Sequence, residues 1–353
     1  MNWSQFSGYL QARTTDHRFS GVVRVTQGDS ECFSLATGYA SRDWGIPNNL
    51  GMRFDTASIT KLLTAVAALQ MVDQGAFGLD TCAIPYLGLR DTAISPRATV
   101  FHLLTHSSGI GDDADEEAGE VYEDLWRERP CYSVVETADF LPQFAHKPAM
   151  FAPGEGCRYN NCAYVLLGLM IEKATGLSYR DYVEQNVMRP AGMHDSGFFR
   201  MDRVRQRVAE GADPIRDEGG VVIGWKRNIF SYPPIGSPDS GALVTAADLD
   251  RFLRAVRAGR LLSPKLSEAF FEPKVLYRDK GDHTIMYGLG LWFHVRASGE
   301  VLFCEKEGVN AGVSGMVRYY PRVDVCAVIL SNMEDGAWEP MGRLHDAIMS
   351  RYF

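Results

Sequence analysis

The stretch FDTASITKLL, Phe54 to Leu63, is where the chain changes period. Upstream of it, SGVVRVTQ, a turn at Gly28-Asp29 and ECFSLATGYA alternate as strands do and read as a β-hairpin. From Asp55 onward Ile59, Leu62, Leu63, Val66 and Leu69 recur at helical spacing, with Asp55 or Thr56 available as cap and Gly75 near the stop. Ser58 and Lys61 stand at the head of that helix, and a spacing of three puts their side chains on one face. A helix N-terminus also presents unpaired N–H groups and the positive end of the macrodipole, which favour an oxyanion.

Working outward, VFHLLTHSSG, AYVLLGLMIEKATG and SYRDYVEQNVM carry helical periodicity, the second stopped by Gly176 and the third opened by Ser178 and Asp181 in capping-box spacing. TAADLDRFLRAVRAG is a further helix capped by Thr245, and a last one covers roughly Trp338 to Arg351. GDDADEEAGEVYEDLWRERP is acidic with little apolar periodicity and reads as a solvated loop or short exposed helix. Near the C-terminus the period returns to two, and YGLGLWFHV, EVLFCEKEG and GMVRYYPRVDVCAVILS read as three strands. Strands at both ends and helices between them predict an α+β fold, in which the two ends share one antiparallel sheet and the middle forms a helical lobe against it. The expected division is a single catalytic domain over 1–353, with a sheet lobe at about 1–55 and 285–353 and a helical lobe at about 56–284. The cleft between lobes is the natural place for a site.

The chain has 353 residues, 46% of them hydrophobic and 23% charged, a composition that excludes disordered and fibrous classes. A formal net charge of -8 and the lack of a Lys/Arg block speak against nucleic acid as a partner. No run approaches the roughly 18 apolar residues of a membrane span. The opening MNWSQFSGYLQARTTDHRFSG does not resemble a secretory signal, and seven scattered cysteines suit reduced thiols; both lead to a cytoplasmic expectation. Cys157 and Cys162 match neither a redox motif nor a zinc knuckle and read as packing residues.

An S-x-x-K motif arises by accident about once in a chain of this length. Taken alone, the stretch equally suits a serine that assists the cap and a lysine that snorkels to water. Chemistry sets a stricter demand: an unperturbed lysine near pKa 10.4 is less than about 0.1% neutral at pH 7, so desolvation or a positive neighbour must lower it. A phenol faces the same problem, and a nearby ammonium would favour its phenolate. The chain offers Tyr159, followed by Asn161, in FAPGEGCRYNNCAYVLLG just before a helix. In FCEKEGVNAGVSGM, alternation puts Lys306 and Gly308 on one face of a strand and Glu307 on the other. A glycine there admits close approach of a substrate, and the N–H of Val309 could pair with that of Ser58 as an oxyanion hole.

In this order, SITK, LLTHSSG, FAPGEGCRYNN, SPDSGALVTAADL, YGLGLWF and KEGVNAGVSG resemble the serine β-lactamase and penicillin-binding-protein superfamily. The likeness is greatest to its class C β-lactamase-related branch of esterases, D-aminopeptidases and carboxypeptidases, and runs from about Phe19 to the last helix. It implies a β-lactamase/transpeptidase-like fold in which Ser58 is acylated, Lys61 takes or shares its proton and Tyr159 passes a proton to the leaving group. Asn161 would bind substrate or steady Lys61; Lys306 would hold the third-motif position, with Gly308 beside the acyl carbonyl. Glu307 stands where β-lactamases usually carry threonine, which weakens the case for β-lactam hydrolysis.

His102 and His106 have helical metal-ligand spacing, yet no Glu follows His102 as in HExxH, and the resemblance assigns the LLTHSSG histidine to a structural turn. Gly288 to Gly290 read as strand rather than a dinucleotide loop, and no GxSxG or P-loop occurs. Trp126, Trp225 and Trp292 are assigned to core packing ahead of a cleft wall. The reading is a serine hydrolase working through a covalent acyl-enzyme on a small ester, amide or short peptide, with no metal or organic cofactor. Carboxylesters come first, D-amino-acid amides or peptides second and β-lactams third; a non-catalytic sensor of peptidoglycan-like ligands is the alternative of another class.

Overall fold

The computed structural model describes residues 2–353. Eight strands form one antiparallel sheet: β1 (Gly21–Gln27), β2 (Ser30–Thr37), β3 (Val275–Asp279), β4 (His283–Tyr287), β5 (Trp292–Arg296), β6 (Val301–Asn310), β7 (Val313–Tyr320) and β8 (Val325–Ser331). Their order is β2-β1-β8-β7-β6-β5-β4-β3. The two ends of the chain meet where β1 pairs with β8, Gly21 opposite Ser331 and Gln27 opposite Val325. The antiparallel α+β architecture is therefore the expected one, built from N- and C-terminal segments. Its C-terminal part begins at Val275 rather than near 285, because β3 and β4 form an edge hairpin whose polar, weakly alternating sequence carries little strand signal.

Two further readings are corrected. GMVRYYPRVDVCAVILS is not one strand: a turn at Pro321–Val323 and left-handed Asp324 (φ 50°) separate β7 from β8. Both strands are buried on both faces, so their hydrophobic run is continuous and hides the break. Gly288 to Gly290 are not strand but the loop of the β4–β5 hairpin, which closes with Tyr287 opposite Trp292 and needs Gly290 at φ 115°.

Six helices frame the sheet and the site: α1 (Trp3–Thr15), α2 (Lys61–Asp73), α3 (Val100–Leu104), α4 (Cys162–Thr175), α5 (Ala246–Arg257) and α6 (Trp338–Tyr352). Of these, α1 has no counterpart among the helices expected from periodicity. With α6 it covers one face of the sheet, where Phe6, Leu10, Met341, Leu344 and Ile348 bury against Val23, Phe303, Met316 and Ile329. The other face packs against the helical lobe in the larger core, centred on α2 and α4, whose Leu62, Val66, Leu69, Val165, Leu167 and Met170 are fully buried. Burying about 25 cal/mol per Å² of apolar surface on both faces is what holds a sheet of this width between two layers. No helix among the described residues is long and apolar enough to cross a membrane.

Candidate active site

Ser58 lies at the junction of the sheet and the larger core. The expected helix start at Asp55 is instead a 3-10 turn over Ala57–Thr60 that runs into α2, with no side-chain cap from Thr56. The Asp55 carboxylate accepts the Ala57 N–H at 2.7 Å, and Ala57 takes φ 41° directly before the serine. Phe54–Asp55 pair with Leu243–Val244, and Thr56 Oγ1 donates to the Ala242 carbonyl at 2.8 Å, which fixes the turn against the SPDSGALV segment. Strand β6 closes on the other side. A β-carbon on Gly308 would stand 2.1 Å from the Thr56 carbonyl and 2.9 Å from the Ser58 nitrogen, so only glycine lets the two backbones meet.

Three distant segments converge there. Lys61 Nζ donates to Ser58 Oγ at 3.0 Å, to Asn161 Oδ1 at 2.7 Å and to the Asp239 carbonyl at 2.9 Å. The Tyr159 hydroxyl donates to Ser58 Oγ at 2.5 Å. Lys306 projects from β6 opposite Val317, with its Nζ 4.6 Å from the Tyr159 ring centre and 5.0 Å from that of Trp292. That amine is wholly buried and has no hydrogen-bond partner. Glu307 pairs with Met316 of the outer core, so it projects on the face opposite Lys306. Val309 is exposed beside the turn.

Electrostatics distinguish the two lysines from the phenol. Burial pushes Lys61 below the ordinary lysine value, against Asp239, Glu116, Asp112 and Asp113, whose charges pull it up. Burial and then the charge of Lys61 hold Lys306 well below that value. Tyr159 moves the opposite way from the sequence expectation: burial and the Glu116 carboxylate raise it well above the ordinary phenol value, so it stays a neutral donor.

The acidic segment at 111–120 is corrected in part: Glu116–Ala118 form the short exposed turn expected, but the stretch ahead of it does not lie in solvent. Its first residues are buried, and the Asp112 carboxylate accepts the N–H groups of Asn161 (2.9 Å) and Cys162 (3.0 Å), capping α4 and setting Asn161 against Lys61. Glu116 Oε1 accepts from Asn161 Nδ2 at 3.3 Å, and Glu117 Oε1 accepts the Tyr159 N–H at 3.0 Å. No periodicity marks such contacts, because they depend on a loop folding back some 45 residues along the chain. Trp292 also belongs to the site wall rather than the core, and Trp225 lies on an outer hairpin under the Arg42 guanidinium; Trp126 is a core residue.

His102 and His106 do not share a ligand position. His102 Nδ1 accepts the Thr99 N–H at the start of α3, and His106 Nδ1 accepts the Asn160 N–H at 3.1 Å. Among the described residues Asp112, Asp113 and Cys162 bring three metal-type donors together. Asp112 is already engaged by two backbone amides, and Cys162 Sγ accepts the Asp113 N–H at 3.2 Å, so the cluster serves as a cap rather than a metal cage.

Comparison with known proteins gives a consistent result. A family model described as Beta-lactamase matches residues 6–347. Esterase EstB of Burkholderia gladioli is 31% identical over 268 residues, covering 69% of this chain and 67% of that protein. A penicillin-binding protein of Bacillus subtilis is 26% identical over 333 residues, covering 90% and 69%. The crystal structure of a penicillin-binding protein from Bacillus halodurans superposes with a TM-score of 0.87 at 35% identity, covering 95% of this chain and 99% of that one.

Proposed function

Because the chain belongs to the beta-lactamase family and is a serine hydrolase, we propose that it is a carboxylesterase that turns over through an acyl-enzyme on Ser58. One observation carries this reading: an amine at 3.0 Å and a phenol at 2.5 Å both reach the Ser58 hydroxyl. Lys61, whose burial favours the neutral amine, takes the hydroxyl proton as Ser58 attacks the ester carbonyl. The oxyanion rests on the N–H groups of Ser58 and Val309, the first of them in a helical first turn that leaves its amides without internal partners. Tyr159, a neutral donor, passes a proton to the departing alkoxide and is restored through Lys61. The unpartnered Lys306 amine offers a polar contact to the substrate beside Gly308. Water then attacks the acyl-enzyme, and the acid leaves.

A second reading, hydrolysis of D-amino-acid amides, is supported by Glu116, an exposed carboxylate at the mouth of the site that could hold a substrate ammonium. Parallel assays with p-nitrophenyl acetate, D-alanyl-p-nitroanilide and nitrocefin rank the substrates. Turnover beyond one equivalent separates an enzyme from a sensor that acylates once. Ser58→Ala is expected to abolish labelling by a fluorophosphonate probe; undiminished labelling would remove Ser58 from the mechanism.

A further inference from the structure

A cavity of about 870 Å³ lies beside the catalytic turn and takes no part in the proton transfers at Ser58. Its volume is that of a site for a drug-sized ligand, far more than an acetyl group needs. Phe54 and Asp55, just ahead of Ser58, form part of its wall; so do Ser237 and Ser240, which flank the Asp239 whose carbonyl holds Lys61. Ser58 itself is not in the wall. A group on the nucleophile must therefore extend past this turn to enter.

The outer wall carries Trp44, Tyr132, Met201, Val204, Ile229 and Phe230, each left exposed, from 40% for Ile229 to 100% for Val204. Scattered exposed apolar residues need no explanation, but six gathered round one opening mark a binding surface. One buried acceptor, Asn332 Oδ1, has no partner, and its residue also lines the space.

We propose that this cavity binds the acyl chain of the substrate, so that the protein selects esters of medium-chain fatty acids over acetate. The inference rests on the esterase reading and names its substrate class. Apolar chain burial contributes about 0.8 kcal/mol per methylene, and an acetyl group is too short to gain any of it here.

The test is a series of p-nitrophenyl acetate, butyrate, octanoate and decanoate with the intact protein, Ile229→Asp and Met201→Asp. Both positions are exposed, and thermal melts check that the variants fold. For the intact protein kcat/KM is expected to rise at least about 10-fold from acetate to octanoate. In each variant that rise should shrink about 10-fold, while acetate turnover stays within about twofold. A chain-length profile unchanged by both substitutions overturns the proposal, as does an intact protein that prefers acetate. If no ester shows Ser58-dependent turnover, the esterase reading fails on its own. Decanoate titrated into Ser58→Ala protein, followed by tryptophan fluorescence, then decides the cavity: saturable binding lost in the added Ile229→Asp change supports it, and absence of binding overturns it. A concentration-dependent dimer that Ile229→Asp dissociates in sedimentation would assign the surface to a second copy and also overturn it.

Discussion

Ala57 holds φ 41°, a region where a β-carbon costs about 1–2 kcal/mol, and three contacts force it there. Asp55 takes its N–H, the Ala242 carbonyl anchors Thr56, and the Gly308 backbone presses on the turn. Ser58 follows Ala57 directly, with its hydroxyl within reach of Lys61 and Tyr159, so the strained turn stands where the nucleophile is held. The state of Lys61 is then the quantity that activity should report. The amine is active as a base only when neutral, and burial puts its pKa below the ordinary value of 10.5. Accordingly kcat/KM for an ester should rise with pH and level off below the lysine range; a rising limb centred at or above 10.5 would contradict the assignment. Lys61→Arg, which keeps the charge but cannot release a proton, should lower kcat by roughly 100-fold or more at every pH.

At the level of elements, α4 shows how a helix can be found from sequence while its function-bearing end is not. Apolar spacing and Gly176, left-handed at φ 71°, make the body and stop of the helix readable. Its cap is readable only in part: Asn160 Oδ1 accepts the Ala163 N–H locally at 2.7 Å, but the N–H groups of Asn161 and Cys162 go to Asp112, 49 and 50 residues upstream. Asp112→Ala should destabilise the protein by about 1–2 kcal/mol in a denaturant titration, and loosening Asn161 should lower kcat/KM about 10-fold. Full activity in a stably folded Asp112→Ala variant would show that Asn161 is held by other means. Ser58, Lys61, Tyr159 and Asn161 are legible for a different reason: their spacing and order survive as motifs along the chain. Glu116 lies in no motif, and Asp239 and Trp292 stand inside SPDSGALVTAADL and YGLGLWF without a role that spacing assigns, since each reaches the site only through tertiary folding. The hydrophobic run across β7 and β8 misleads for a third reason, as strands covered on both faces lose the alternation that marks their ends.

The molecule as a whole has two cores separated by one sheet, and only the larger adjoins the catalytic groups. Leu344 is fully buried in the smaller, between α6 and the outer sheet face. Leu344→Ala should cost about 2–5 kcal/mol in a melt, yet leave kcat/KM of the folded enzyme within about twofold. A large fall in kcat/KM without loss of folded protein would mean that the outer layer tunes the site through β6. The pairing of β1 with β8 has a consequence for biosynthesis. A ribosome delivers the first strand more than 290 residues before its partner, and Lys306 and Gly308 also emerge late. Until β6 and β8 have emerged, the early hairpin keeps one ladder edge unpaired and Ser58 lacks the strand that completes its surroundings. Such non-local closure favours slow maturation and exposes nascent chains to aggregation, so a translating cell would hold this hydrolase inert until those late strands are in place.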